Sequence, residues 1–318
     1  MDGQAVTSSP YPSAGPHPAQ LGAPNAGSAP DAGHEAVPDE ISDGTLLGGR
    51  VIYRQFRHGY RTGLEPVLMA ALTPARNGER VIEAGCGAGA GLLCLTERIP
   101  GLAGVGVEID PGTAALASAN FAANGRSRLT AIEEDILASA LPERLGALGA
   151  TRFDHALANP PWWRPDATPS SETRRDQARR RRPDTIPAWV SALARLLKPK
   201  GSLTLALPAE LLAPALAACE AHGIGSVEII PLWPEAGKEA RLTLLRGRLD
   251  GRAGSRMLAG LTLHLPGGEF TTDAQAVLRE GHGLYQASFR TTARTASASA
   301  VAPQIASATS ERDESVGR

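Results

Sequence analysis

From residue 80 to residue 250 the sequence switches repeatedly between two hydrophobic periods, and this alternation restricts the fold more than any other feature. Short β-rich runs occupy residues 80–84, 104–109, 129–133, 153–158, 202–207, 227–232 and 240–246, and helix-like stretches separate most of them. The clearest helix spans 184–198, where Ile186, Trp189, Val190, Leu193, Leu196 and Leu197 recur on one face. Asp184 suits its start, and Lys198, Lys200 and Gly201 suit its end. A second helix covers 209–222, with Leu212, Leu216 and Cys219 on one side and Gly223 as the stop. Strands alternating with helices predict right-handed crossovers and a mostly parallel sheet covered on both faces. The last two strands are joined by 233–239, too short for a parallel crossover, so that pair is expected to be antiparallel. The predicted class is therefore α/β, with a Rossmann-like sheet and an antiparallel last strand.

The two ends read differently. Residues 1–40 are dominated by Ala, Pro, Gly and Ser, and 291–318 by Ala, Ser and Thr followed by a polar tail. Such segments bury too little apolar surface to offset the entropy of ordering, so both are expected to be disordered around one domain at 41–290. The net charge of −1 argues against a protein that coats nucleic acid non-specifically. Cys86, Cys94 and Cys219 lack metal-ligand spacing, so no metal is expected, and they form an odd, sparse set, which fits a reducing compartment and no disulfide framework. No apolar run reaches membrane-spanning length, and the start has neither a basic, apolar leader nor any Arg before residue 40. A cytoplasmic location away from membranes is the expectation.

The first strand runs straight into Glu83-Ala-Gly85-Cys86-Gly87-Ala-Gly89-Ala-Gly, followed by a helical run. Glycines there remove Cβ atoms where backbone and ligand approach closely, at the carboxyl edge where open α/β sheets bind nucleotide-like ligands. The loop also satisfies the dinucleotide pattern through Gly85, Gly87 and Ala90, so alone it leaves the cofactor open. Two acidic residues tilt it toward S-adenosylmethionine (SAM). Glu83 precedes the glycines, where a carboxylate can meet the positively charged methionyl end. Glu108 ends the second strand, where it can accept both ribose hydroxyls. Asp135, after the third strand, is placed for an adenine amino group, with Glu133 and Glu134 as competing neighbours.

The discriminating motif is Asn159-Pro160-Pro161-Trp162 at the end of the fourth strand. Two prolines cannot continue a central strand, so they stiffen a turn at the sheet's active edge. Asn159 presents a neutral amide oxygen there, and the Pro160 carbonyl is a second acceptor. An exocyclic amine of adenine is a weak nucleophile because its lone pair is delocalised into the ring. Acceptors on both N–H bonds favour a geometry with that lone pair turned out for in-line methyl transfer, so positioning is the main requirement. Trp162 offers a flat face for stacking a splayed-out base.

With these residues in view, 43–284 resembles the bacterial tRNA1(Val) adenine-N6 methyltransferase family, within the class I SAM-dependent methyltransferases. The carrying segments are 48–72 (GGRVIYRQFRHGYRTGLEPVLMAAL), 80–91 (RVIEAGCGAGAG), 106–111 (GVEIDP), 154–162 (DHALANPPW), 196–205 (LLKPKGSLTL) and 231–241 (PLWPEAGKEAR). The resemblance implies that Glu83, Gly85, Gly87 and Glu108 bind SAM and that Asn159 to Trp162 form the acceptor site. Gly63-Leu64-Glu65 stands where the family usually reads Gly-Thr-Asp, and Trp162 where it usually has Tyr or Phe.

Beyond this motif Arg174, Arg175, Arg179, Arg180, Arg181 and Arg182 put six arginines into nine residues, beginning twelve after Trp162. Beside a base-binding site such a run is expected to contact RNA phosphates, with tRNA the expected substrate and Arg50, Arg54, Arg57 and Arg61 as a possible extension. His58 reads as a surface residue, Trp189 as core, and Cys86 as having no redox role. A protein-glutamine N5-methyltransferase is the nearest alternative, since a side-chain amide offers a similar flat NH2. A dinucleotide-dependent oxidoreductase and a non-catalytic RNA-binding module are the others.

Overall fold

Ahead of the predicted strands lies a hairpin that the hydrophobic pattern does not announce. Its strands β1 (Ile41–Leu46) and β2 (Val51–Phe56) pair antiparallel, with Leu46 opposite Val51 and Ile41 opposite Phe56. β1 is almost wholly exposed and contains Ser, Asp, Gly and Thr, so it has no alternating apolar face to read. β2 supplies the anchor through Val51 and Tyr53, both buried. The computed structural model describes residues 40–58, 61–161 and 184–284. The two low-complexity ends, except Glu40, lie outside these residues, as do Trp162 and the arginine run.

After the hairpin come α1 (Glu65–Leu72), β3 (Arg80–Ala84), α2 (Ala90–Arg98), β4 (Ala103–Glu108), α3 (Pro111–Ala123), β5 (Leu129–Glu133), α4 (Leu141–Ala147) and β6 (Phe153–Ala158). The chain continues through α5 (Thr185–Leu196), β7 (Leu197–Pro208), α6 (Leu212–Ala221), β8 (Ile224–Glu235), β9 (Leu242–Leu249), β10 (Arg256–Met257), β11 (Leu261–His264) and α7 (Thr272–Leu278). The large sheet runs β10-β8-β9-β7-β6-β3-β4-β5, with β11 also against β8. Strands β3 to β7 are parallel, and β9 lies antiparallel between β7 and β8, which is the expected mixed arrangement.

Several boundaries moved for local reasons. α5 stops at Leu196, and Leu197 is already extended (φ −77°, ψ 146°). Lys198 precedes Pro199, and the residue before a proline is kept out of the helical region, so helix passes directly into strand. β7 thus begins five residues before the predicted run, through the polar stretch Lys198 to Gly201, with a register shift opposite Phe153 to His155.

Side-chain alternation on the strands divides the core in two. Val81 and Leu157 face the layer of α1, α2, α3, β2 and α7. Ile82, Ala84, Ala156 and Ala158 face the layer of α4, α5 and α6. Near the amino end of β6 and midway along β7, buried His155 bridges Ser202 Oγ and Glu79 Oε2, each at 2.8 Å. Burial lowers its pKa, against the pull of Glu79. This serine–histidine–glutamate group is no nucleophilic site, because Ser202 is buried and lies at the sheet end opposite the glycine loop.

Candidate active site

Parallel pairing brings the two motifs together. Ala84 is opposite Ala158 on one side and Val107 on the other. The first glycine of the loop and Asn159 therefore leave adjacent strands side by side, about 5 Å apart at the usual strand spacing, with Glu108 flanking the loop. The chain moves from β3 outward to β4 and β5, then returns to β6 on the other side of β3. The crevice between β3 and β6 is thus the point where strand order reverses, the place where such sheets bind ligands.

The three glycines have different reasons to be glycine. All have positive φ: Gly85 61°, Gly87 55° and Gly89 88°. A Cβ on Gly85 would lie 3.0 Å from the Trp189 ring and one on Gly89 2.5 Å from the Phe121 ring, so those two serve internal packing. A Cβ on Gly87 would meet nothing within 4 Å among the described residues, so Gly87 faces open space there. Trp189, read from the sequence as core, is half-buried and forms a wall against the loop.

Glu108 is held from both sides. Its Oε2 accepts from the Gly87 N–H at 2.9 Å and its Oε1 from the Asp110 N–H at 3.0 Å. Burial raises its pKa, while those backbone donors act to lower it. Each oxygen retains acceptor capacity. Next to it Ile109 is 63 % exposed, a large apolar group standing at the site edge that sequence reasoning passed over. Its only sequence signal is its place immediately after the strand-end carboxylate. Asp135 is exposed beyond β5, its Oδ1 accepting from Leu137 N–H at 2.9 Å. Of its neighbours, Glu134 is engaged by Arg144 and Glu133 is exposed.

Glu83 is buried beneath the helix that follows the loop. It shares a strand face with Val81, so it points under α2, is 2 % exposed, and accepts from the Leu92 N–H at 3.0 Å. Burial pushes its carboxyl up to about 8, opposed by the Leu92 N–H and reinforced by the charge of Glu108. It braces the first turn of α2 from below; among the described residues its seat is the helix start.

At the end of β6, Asn159 is half-buried, Pro160 buried and Pro161 half-buried. A further acidic group sits at the same end of the molecule. Arg98, at the end of α2, donates to the carbonyls of Ala70 and Thr73 at 2.6 Å each, so α1 and α2 run side by side in one direction. Glu65, which opens α1, therefore lies toward the glycine loop. Among the described residues its Oε2 is buried without a hydrogen-bond partner.

Of the arginines in the N-terminal segment, Arg50 donates to the carbonyls of Glu280 and Arg279, Arg54 pairs with Asp43, and Arg57 with Glu40. Those three are engaged locally; Arg61 is exposed, as is His58. Among the described residues no group of three or more candidate ligands could hold a metal, and no helix is long and apolar enough to cross a membrane.

No family model matches the sequence. A solved structure described as a predicted O-methyltransferase from Agrobacterium tumefaciens superimposes with a TM-score of 0.57 at 22% identity, over 70% of this chain and 98% of that one. The fold is that of the class I methyltransferases. In sequence, this chain resembles the tRNA1(Val) (adenine(37)-N6)-methyltransferase of Yersinia pestis (strain Pestoides F), with 28% identity over 77% of this chain and 92% of the relative. The protein of the same description from Yersinia pseudotuberculosis serotype IB (strain PB1/+) matches equally, with 90% of its length covered.

Proposed function

We propose that this chain is a SAM-dependent methyltransferase that modifies the N6 amine of an adenine in RNA, with tRNA as the substrate. The observation that carries the reading is the juxtaposition across β3 and β6 of the glycine loop with Asn159-Pro160-Pro161, flanked by Glu108. The curated relatives' description as tRNA adenine-N6 methyltransferases, over most of this chain, supports it.

The residues present suit SAM. Gly87 opens onto free space, Glu108 has two pinned oxygens for a diol, and Ile109 offers an apolar surface to a flat ring. Glu65 carries a buried oxygen that meets no donor among the described residues, a place that an ammonium group suits. SAM, when bound, supplies a methyl group activated on a sulfonium. The protein's part is to orient the acceptor. The Asn159 side-chain oxygen and the Pro160 carbonyl accept the two N–H bonds of the amine, which turns its lone pair out of the ring plane. The prolines fix both acceptors, so no side chain has to act as a tuned base; the surplus proton leaves to solvent. Trp162 and the arginines at 174–182 are assigned to base stacking and phosphate contact respectively.

Mass spectrometry of nucleosides in tRNA from cells with and without the gene tests the reading, together with label transfer from SAM to that tRNA by the purified protein. N6-methyladenosine should be lost without the gene and restored by the protein. Unchanged tRNA nucleosides, with label appearing on protein glutamine, would overturn it.

A further inference from the structure

β2 has two edges. One pairs with β1; toward the other, alternate residues Ile52 and Arg54 direct their peptide groups. Two carboxamides on α3 and its cap meet them. Asn124 accepts from the Ile52 N–H at 2.9 Å and donates to the Ile52 carbonyl at 2.7 Å. One turn earlier Asn120 accepts from the Arg54 N–H at 3.1 Å and donates to the Arg54 carbonyl at 2.8 Å. Side chains four apart on a helix lie about 6 Å apart, close to the roughly 6.8 Å between alternate strand residues. The helix thus closes the strand edge with side-chain amides, as another strand would with its backbone.

Asn120 makes one bond that Asn124 does not. Its Nδ2 also donates to the Ala88 carbonyl, at 2.9 Å, inside the glycine loop. Asn120 is fully buried, and the next residue, Phe121, packs against Gly89. Two successive residues of α3 therefore hold two successive residues of the loop. Ala88 lies between Gly87 and Gly89, where the backbone is freest, so a restraint on its carbonyl limits the loop where it most needs limiting.

We propose that Asn120 is a positioning residue for the cofactor loop: it joins the N-terminal hairpin to that loop and sets SAM affinity without touching SAM. The proposal rests on the SAM reading above. A loop already ordered binds more tightly, because ordering is not required at the moment of binding.

The test compares Asn120→Ala, Asn120→Asp and Asn124→Ala with the wild-type chain. Asn120→Asp is nearly isosteric and cannot donate to Ala88, so it carries the comparison if the alanine variant does not fold. Both Asn120 variants should bind SAM about five- to tenfold more weakly by calorimetry, the scale of one buried hydrogen bond. Asn124→Ala should lower the melting temperature comparably but leave SAM affinity within about twofold, because it loosens the same strand and spares the loop. Without SAM, amide hydrogen exchange across 85–93 should quicken in both Asn120 variants and stay unchanged in Asn124→Ala. Wild-type exchange in the Asn120 variants, or equal affinity losses at both positions, would overturn the proposal. A wild-type chain that bound no SAM would sink the cofactor reading, while the exchange result would still decide whether Asn120 holds the loop.

Discussion

Replacing Glu83 with Gln keeps the side chain's shape and an oxygen that accepts from the Leu92 N–H, but removes the group that ionises. Burial pushes the Glu83 carboxyl from its ordinary 4.5 up to about 8, against the Leu92 donor and with the help of Glu108. The folded chain therefore keeps a proton that the unfolded chain releases anywhere between those values. For an acid raised in this way, the stability contribution is complete below about pH 4.5 and is lost as pH rises to about 8, where it levels off. The slope is about 1.4 kcal/mol per pH unit, which amounts to about 5 kcal/mol over the interval. Glutamine has no such dependence, so the difference between the two proteins isolates Glu83, together with the groups its charge touches, from the rest of the chain. Urea unfolding followed by circular dichroism, from pH 5.5 to 9, measures it. Glu83→Gln should gain on the wild type with each step up to about pH 8 and run parallel above it. Parallel curves across the whole range would mean that Glu83 titrates alike in both states, and the argument from burial would fail.

Glu108→Ala removes the partner of two backbone donors and both acceptors for a diol, so SAM binding should weaken by about 2–4 kcal/mol in calorimetry on the folded variant; unchanged affinity would take Glu108 out of the site. Asn159→Ala should leave SAM affinity nearly unchanged while single-turnover methylation falls by roughly two orders of magnitude or more, the scale of one oriented transition-state hydrogen bond. A near-wild-type rate would refute the acceptor-site assignment. Changing Arg179, Arg180, Arg181 and Arg182 to Ser should weaken RNA binding and flatten its dependence on salt, with SAM affinity unaltered, because fewer condensed counterions are released. Identical salt slopes would reduce that run to a solvated charge cluster and favour a protein substrate.

The hairpin shows why part of the molecule was hidden in the sequence. β1 has no apolar alternation, and its place depends on pairing with β2, which in turn depends on Asn120 and Asn124 about seventy residues away. Two asparagines in a helical stretch look like solvated surface until the strand they cover is known. Arg50, Arg54 and Arg57 depend on other segments in the same way. They form a basic row in sequence, and in the structure the carbonyls of Arg279 and Glu280, Asp43 and Glu40 engage them in turn.

The sequence by itself determined the α/β class, the order of the parallel strands' motifs and the loops on which the chemistry sits. Those properties follow from hydrophobic period, glycine and proline, which act on the local backbone. Only the tertiary structure decided what each side chain of the site meets. Glu83 and Glu108 look equivalent as strand-end carboxylates, but alternation turns Glu83 under α2, while the loop's return places Gly87 against Glu108. Trp189 belongs to an apolar helix face, and the absent Cβ of Gly85 lets its ring pack directly against the glycine loop. A side chain's surroundings are set by strand register and by which layer covers the sheet, and those are fixed only when distant segments pack together.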